Sequence, residues 1–297
     1  MRLSDDDPAS TRPYLGAMDS TTKGQLMEAA TAVTPSRPAA TFAPRPASAE
    51  RVTVPQLGLG RIIATWAAAA LPMGLLAWVV SPVLADQLSG PGRLARALII
   101  TLTGGLIWQF VLVMFLVRRE QGTLRWSVLR EALWLRAPQA PRSGRRGGRL
   151  WLVVVPLILG FGLEEIIPGL PHPAGRDMTD FLGSSAGHTM LAGAWGWFAI
   201  LAVLAIFNTV LGEELLFRGY LLPRMKGAFG RRDWLANGVL FATYHLHMPW
   251  VIPTALLDSF FLAYPSKRYR SALIGIVVHS AQSVVILGMV LSLVLKG

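Results

Sequence analysis

Seven stretches of this chain are apolar enough to lie in a lipid bilayer, and nothing else in the sequence constrains its fold as strongly. They run over 61–85, 94–117, 150–170, 195–217, 234–247, 249–264 and 271–295. A hydrocarbon core takes about 20 mostly apolar residues per crossing helix, and several of these stretches reach or approach that length without Lys or Arg. The expected fold is therefore all-α, a polytopic transmembrane helical bundle of about seven or eight spans. The stretches beginning at Trp234 and Pro249 are short, and read either as tilted or extended spans or as one re-entrant pair. With 53% hydrophobic and 15% charged residues among 297, the chain is too apolar for a soluble domain.

A formal net charge of +11 raises the question of nucleic acid, and the position of the arginines answers it. Arg118, Arg119, Arg125, Arg130, Arg136, Arg142, Arg145, Arg146 and Arg149 crowd one connection between apolar stretches. Short basic loops mark the cytoplasmic side of a membrane protein. Arg218, Arg224, Lys226, Arg231 and Arg232 fall on the same side by alternation, as do Lys267, Arg268 and Arg270. The expected partners are thus membrane lipid and a membrane-associated peptide or protein substrate, with no nucleic acid. The expected location is a bacterial-type plasma membrane, with the N-terminus inside.

Residues 1–56, rich in Ala, Ser, Thr and Pro, are expected to form a disordered cytoplasmic tail, because they bury too little to offset their ordering entropy. Asp5, Asp6 and Asp7 replace the basic start of a secretory signal. Residues 57–297 are expected to form the transmembrane domain. Cysteine is absent, which excludes a thiolate nucleophile and any Cys-ligated metal.

Ionisable groups at membrane depth cost on the order of 2.5–3.5 kcal/mol each, so each needs a partner or a task. They cluster late in the chain. In Gly212-Glu213-Glu214-Leu215-Leu216-Phe217-Arg218, the side chains of Glu214 and Arg218 are four apart and share a helix face, so they can pair. Glu213 points about 100° away and is left to face a cavity. Phe241 and His245 share a face in the short stretch from Trp234, and His279 and Ser283 share one early in the last stretch. A free carboxylate with two imidazoles can draw a proton from water that attacks a peptide carbonyl, the remaining polar groups receiving the oxyanion. Glu213, His245 and His279 could equally hold a divalent metal such as zinc, whose catalytic shells include Glu, His, His and water. The residues alone leave both open.

At these positions the chain resembles the CPBP family, the CAAX proteases and bacteriocin-processing enzymes also called Abi. The family carries E-E-x-x-x-R, F-x-x-x-H and H-x-x-x-N/D. Glu213-Glu214 with Arg218 matches the first, running on into Phe217 and Gly219-Tyr220, and Phe241 with His245 matches the second. His279 opens the third, but Ser283 stands where the family has Asn or Asp. The resemblance covers 191–297 and implies a CAAX-protease-like bundle with a cavity open to cytoplasm and lipid. It implies intramembrane hydrolysis of membrane-proximal or prenylated C-terminal peptides, with no cofactor firmly required. By matched position Glu213 would be the general base, His245 its partner in holding water, His279 part of the oxyanion site, and Glu214 with Arg218 a structural pair. A hydroxyl is shorter than an amide, so Ser283 implies reduced or altered activity relative to an Asn version.

Asp258, mid-stretch and costly there, is expected to bond His245 or line the cavity. His247 reads as a supporting or interfacial group. Glu164-Glu165 is a second acidic pair that lacks the arginine four residues on and reads as an interfacial cap, and His172 and His188 read as loop residues without chemistry. Trp195, Trp197, Trp234 and Trp250 read as interfacial anchors. The stretch 123–136 reads as a surface helix. Two rival functions are a non-catalytic scaffold for bacteriocin immunity or partner binding, and a proton relay. The relay ranks last, since the first three stretches offer little ionisable lining.

Overall fold

The computed structural model describes residues 52–163, 167 and 170–296. Most of the predicted tail, and the Glu164-Glu165 pair, lie outside them. The described helices are α1 (Leu59–Gln87), α2 (Arg93–Gln121), α3 (Trp126–Ala132), α4 (Gly148–Gly162), α5 (Met178–Gly183) and α6 (Ser185–Leu191). They continue with α7 (Trp195–Arg224), α8 (Asp233–Tyr244), α9 (259–269) and α10 (Ala272–Val294). No strand occurs among the described residues; one isolated bridge joins Gln139 and Arg146.

Helices α1, α2, α7 and α10 hold 29, 29, 30 and 23 residues, and each contains an apolar window of 18 residues. At 1.5 Å per residue the shortest is about 35 Å long, enough for a hydrocarbon core of about 30 Å. The protein is an integral membrane protein of all-α architecture. Its main core gathers α1, α2, α7, α8 and α10 around Phe217, Phe241, Tyr244, Leu216 and Val278.

The stretches predicted from Trp234 and Pro249 are not two uninterrupted helices. Helix α8 has 12 residues, about 18 Å, and stops because His245 turns to ψ 41°. Pro249 and Pro253 then open the short turns Pro249–Val251 and Ile252–Ala255, since a proline fits only the first turn of a helix. The chain returns along α9, where Lys267 pairs with Asp233 at the start of α8. The arms therefore form an antiparallel hairpin whose ends meet. They approach closely at Gly238, where a Cβ would fall 1.7 Å from Ser259 Oγ.

Helix α7 is not a plain α-helix. It widens into π-turns at Phe207–Gly212 and Leu215–Leu221, on either side of Glu213 and Glu214. Gly212 lets α7 cross α2, for a Cβ there would meet Phe207 O at 2.4 Å and Leu106 Cδ2 at 3.3 Å.

Arg218, read from sequence as the partner of Glu214, and Arg224, read as a cytoplasmic loop charge, are both interior and fully buried. Arg224 makes a bidentate pair with Glu120 at the end of α2 (2.9 and 2.7 Å) and donates to Ala132 O (3.1 Å) and Tyr220 O (2.8 Å). This satisfaction of every direction is what makes a buried guanidinium tolerable. The short surface helix α3 forms within the predicted 123–136, and the chain after it dips inward, with Leu133 buried against Gly219. Gln139 N bonds Tyr269 O (2.8 Å) and Ala272 N bonds Trp134 O (2.9 Å), stitching the arginine-rich connection to the start of α10.

The predicted tail boundary at residue 56 falls inside a pinned strap. Thr53 O accepts from Gln121 (2.9 Å), Gln56 bonds Pro223 O (3.0 Å) and Gly227 N (2.9 Å), and Leu57 N donates to Arg224 O (2.9 Å). At the other end of α1, Arg176 donates to Ala77 O (3.0 Å) and covers the Trp78 ring at 4.0 Å. Desolvation there lowers the pKa of this guanidinium.

Candidate active site

The acidic doublet is split as its spacing predicts. Glu214 Oε1 lies 2.9 Å from Arg218 Nη1, and both side chains are fully buried. The same oxygen is 3.2 Å from His279 Nδ1 on α10. Glu214 thus does more than neutralise an arginine, since it also ties α7 to the histidine of the last helix. Gly275, one turn before His279, makes the approach possible: a Cβ there would lie 2.2 Å from Glu214 Oε2.

Phe241 explains why an aromatic ring sits four residues before His245. The Arg218 guanidinium carbon is 4.0 Å from its centroid, a cation over a π-face. Perpendicular to it stand His245 at 5.0 Å, His279 at 6.1 Å and Phe217 at 5.2 Å. One buried ring is therefore the floor on which the arginine and both histidines rest.

His245 caps α8, with Nδ1 3.0 Å from Phe241 O. A carbonyl only accepts, so Nδ1 carries the hydrogen and Nε2 keeps its lone pair. A carboxylate likewise only accepts, so Nδ1 of His279 carries a hydrogen toward Glu214 and Nε2 is turned elsewhere. Glu213 is 2% exposed. It interacts electrostatically with His279, Glu214, Arg218, Asp258 and Tyr244. Asp258 is buried and acts on both Glu213 and His279.

Ser283 lies half-buried one turn beyond His279. The hydroxyl that bridges α10 to α7 here is that of Ser280, 3.1 Å from Thr209 Oγ1. His247 is buried and stacks on His245 at 5.4 Å with 28° between planes.

Sequence reasoning overlooked Tyr244 and Gln109. The Gln109 amide donates to Tyr244 Oη at 2.6 Å, and both side chains are fully buried. The signal was present: a lone amide in the apolar run of α2 needs a partner for the same reason that a buried charge does.

Among the described residues, the one group of three or more ligand-type side chains with donor atoms within 4.8 Å of one another is His172, Asp177 and Asp180. Its members are already engaged: Asp177 caps α5 through Thr179 N (2.9 Å) and Asp180 N (3.1 Å), and His172 lies 3.5 Å from Asp180. Glu213, His245 and His279 are not brought within that distance of one another as a group of three. A cavity of about 680 Å³ lined by Asp86, Arg93, Asp180 and Phe181, and one of about 260 Å³ beside Trp250, both lie away from Glu213, His245 and His279.

The fold is an all-α membrane bundle, and the cluster lies on its helices α7, α8 and α10. A family model described as "Type II CAAX prenyl endopeptidase Rce1-like" matches residues 195–285, which include every motif residue of the cluster and agree with the CPBP resemblance. Neither a curated protein nor a solved structure matches the chain.

Proposed function

We propose that the chain hydrolyses a peptide bond of membrane-proximal or prenylated C-terminal CAAX-type substrates, using water activated by Glu213 and His245. The observation that carries this reading is the division of labour in the doublet. Glu214 is committed to Arg218 and His279, while Glu213 has no arginine of its own to pair with.

In this mechanism a water sits between the Glu213 carboxylate and His245 Nε2. Glu213 takes one proton as the water oxygen bonds to the scissile carbonyl carbon. The oxyanion is received by His279 as imidazolium, its Nδ1–H held by Glu214 and its Nε2–H turned to substrate. The proton on Glu213 then passes to the leaving nitrogen as the C–N bond breaks, and the remaining hydroxyl proton follows to the freed amine, yielding a carboxylate and an ammonium. Arg218 offsets the charge of Glu214 throughout.

The exposed arginines 118, 119, 125, 130, 142, 145, 146 and 149 support a cytoplasmic placement of the N-terminus and the active site, by the positive-inside rule. The test is cleavage of a fluorogenic prenylated peptide by protein reconstituted in liposomes. Glu213→Gln is expected to lose about 10²- to 10⁴-fold in kcat while melting as the parent does. Full activity in that variant would leave a scaffold of the same fold, serving immunity or partner binding, as the better reading.

A further inference from the structure

Glu213 has a structural problem that the motif residues do not solve. Two adjacent buried carboxylates share one guanidinium, and Glu214 holds it. A carboxylate without a cation still needs donors, and a general base needs one oxygen fixed so that the other faces water. Arg218 and His279 are both turned to Glu214.

We propose that Tyr244, locked by Gln109 of α2, is the positioning residue that holds the Glu213 carboxylate for water activation. This rests on the peptidase reading above and deepens it. A phenol has one hydrogen to give. The Gln109 N–H occupies the phenol oxygen at 2.6 Å, so the Tyr244 O–H is left to donate, and the Glu213 carboxylate is the acid that acts on this phenol. Two hydrogen bonds in series polarise one another, which strengthens the second.

The ring cannot swing away. Phe217 (5.4 Å), His245 (5.3 Å) and His247 (5.6 Å) surround it, and Phe241 stacks on it at 6.5 Å. Tyr244 is also the last residue of α8, and His245 directly follows it as the cap. A single helix end thus delivers the group that aims the base and the group that shares its water. Gln109 lies outside the matched residues 195–285, so the first half of the chain contributes a working part of the site.

The test uses Tyr244→Phe and Gln109→Leu in the full-length reconstituted protein, alone, combined, and each with Glu213→Gln. Kinetics on the prenylated peptide are read beside thermal melting. Either single variant is expected to lower kcat about 10- to 100-fold, the range for a hydrogen bond to a charged group. KM should stay within about twofold, because the interaction serves the reacting groups rather than substrate binding. Gln109→Leu should add little to Tyr244→Phe, and neither should add to Glu213→Gln, since each acts through the next. An unchanged kcat in a folded Tyr244→Phe or Gln109→Leu protein overturns the proposal. A loss in both variants that tracks a drop in melting, or multiplies fully with Glu213→Gln, overturns it too and leaves Tyr244 as packing. If Glu213→Gln itself keeps full activity, the failure belongs to the peptidase reading.

Discussion

Replacing Gly275 with alanine should damage the site far more than one methyl group suggests. The new Cβ would lie 2.2 Å from Glu214 Oε2, 3.1 Å from Ser266 Oγ and 3.3 Å from Arg218 Cγ. The end of a glutamate normally swings aside at little cost. Here Oε1 of the same carboxylate is held by Arg218 at 2.9 Å and by His279 at 3.2 Å, so turning Oε2 away drags both partners. Moving α10 outward instead carries His279 with it, because the two residues are one turn apart on that helix. Overpacking of this kind costs about 1–3 kcal/mol of stability, and a displacement of about 1 Å at reacting groups costs about 10²-fold in rate. The variant should therefore melt lower by that modest amount in detergent and lose about 10²-fold in cleavage of the prenylated peptide. Parental melting and parental kcat together would refute the reasoning, because they would mean that α10 does not rest against the Glu214 carboxylate.

Two further outcomes follow from buried polar groups. Arg224→Ala should destabilise by about 3–5 kcal/mol because it strands the Glu120 carboxylate, and Arg224→Lys should rescue little because an ammonium cannot reproduce the bidentate fork; both are read by thermal unfolding. Ser283→Asn should raise or redirect peptide cleavage, since an amide reaches further than a hydroxyl from that turn of α10; an unchanged rate and cleavage position would count against a role for this position in oxyanion stabilisation.

The long helices were legible because length and hydropathy are properties of a single segment, and α1, α2, α7 and α10 announce themselves that way. The Glu214–Arg218 pair was legible for a related reason, being four residues apart on one helix. What escaped was set between segments. No local period reveals that His279 turns its Nδ1 to Glu214, or that Gln109 reaches Tyr244 from α2. The shortness of 234–247 was legible as well, whereas the residue at which α8 ends depends on the backbone at His245. Arg224 escaped because counting arginines along a loop gives no weight to burial, and Glu120, which buries it, lies on a different helix. Among the site residues, the doublet and Phe241–His245 stood out from sequence, and the structure adds the buried contact between Gln109 and Tyr244.

The two π-turns of α7 flank the glutamate doublet like a pair of swivels. A π-turn accommodates one residue more than the regular helix on the same axis, so the angular phase of the doublet is uncoupled from that of the helix on each side. Deleting one residue from 207–212 would return that flank to a regular helix with little rotation of 195–206 relative to Glu213, since the π-turn already absorbs the extra residue.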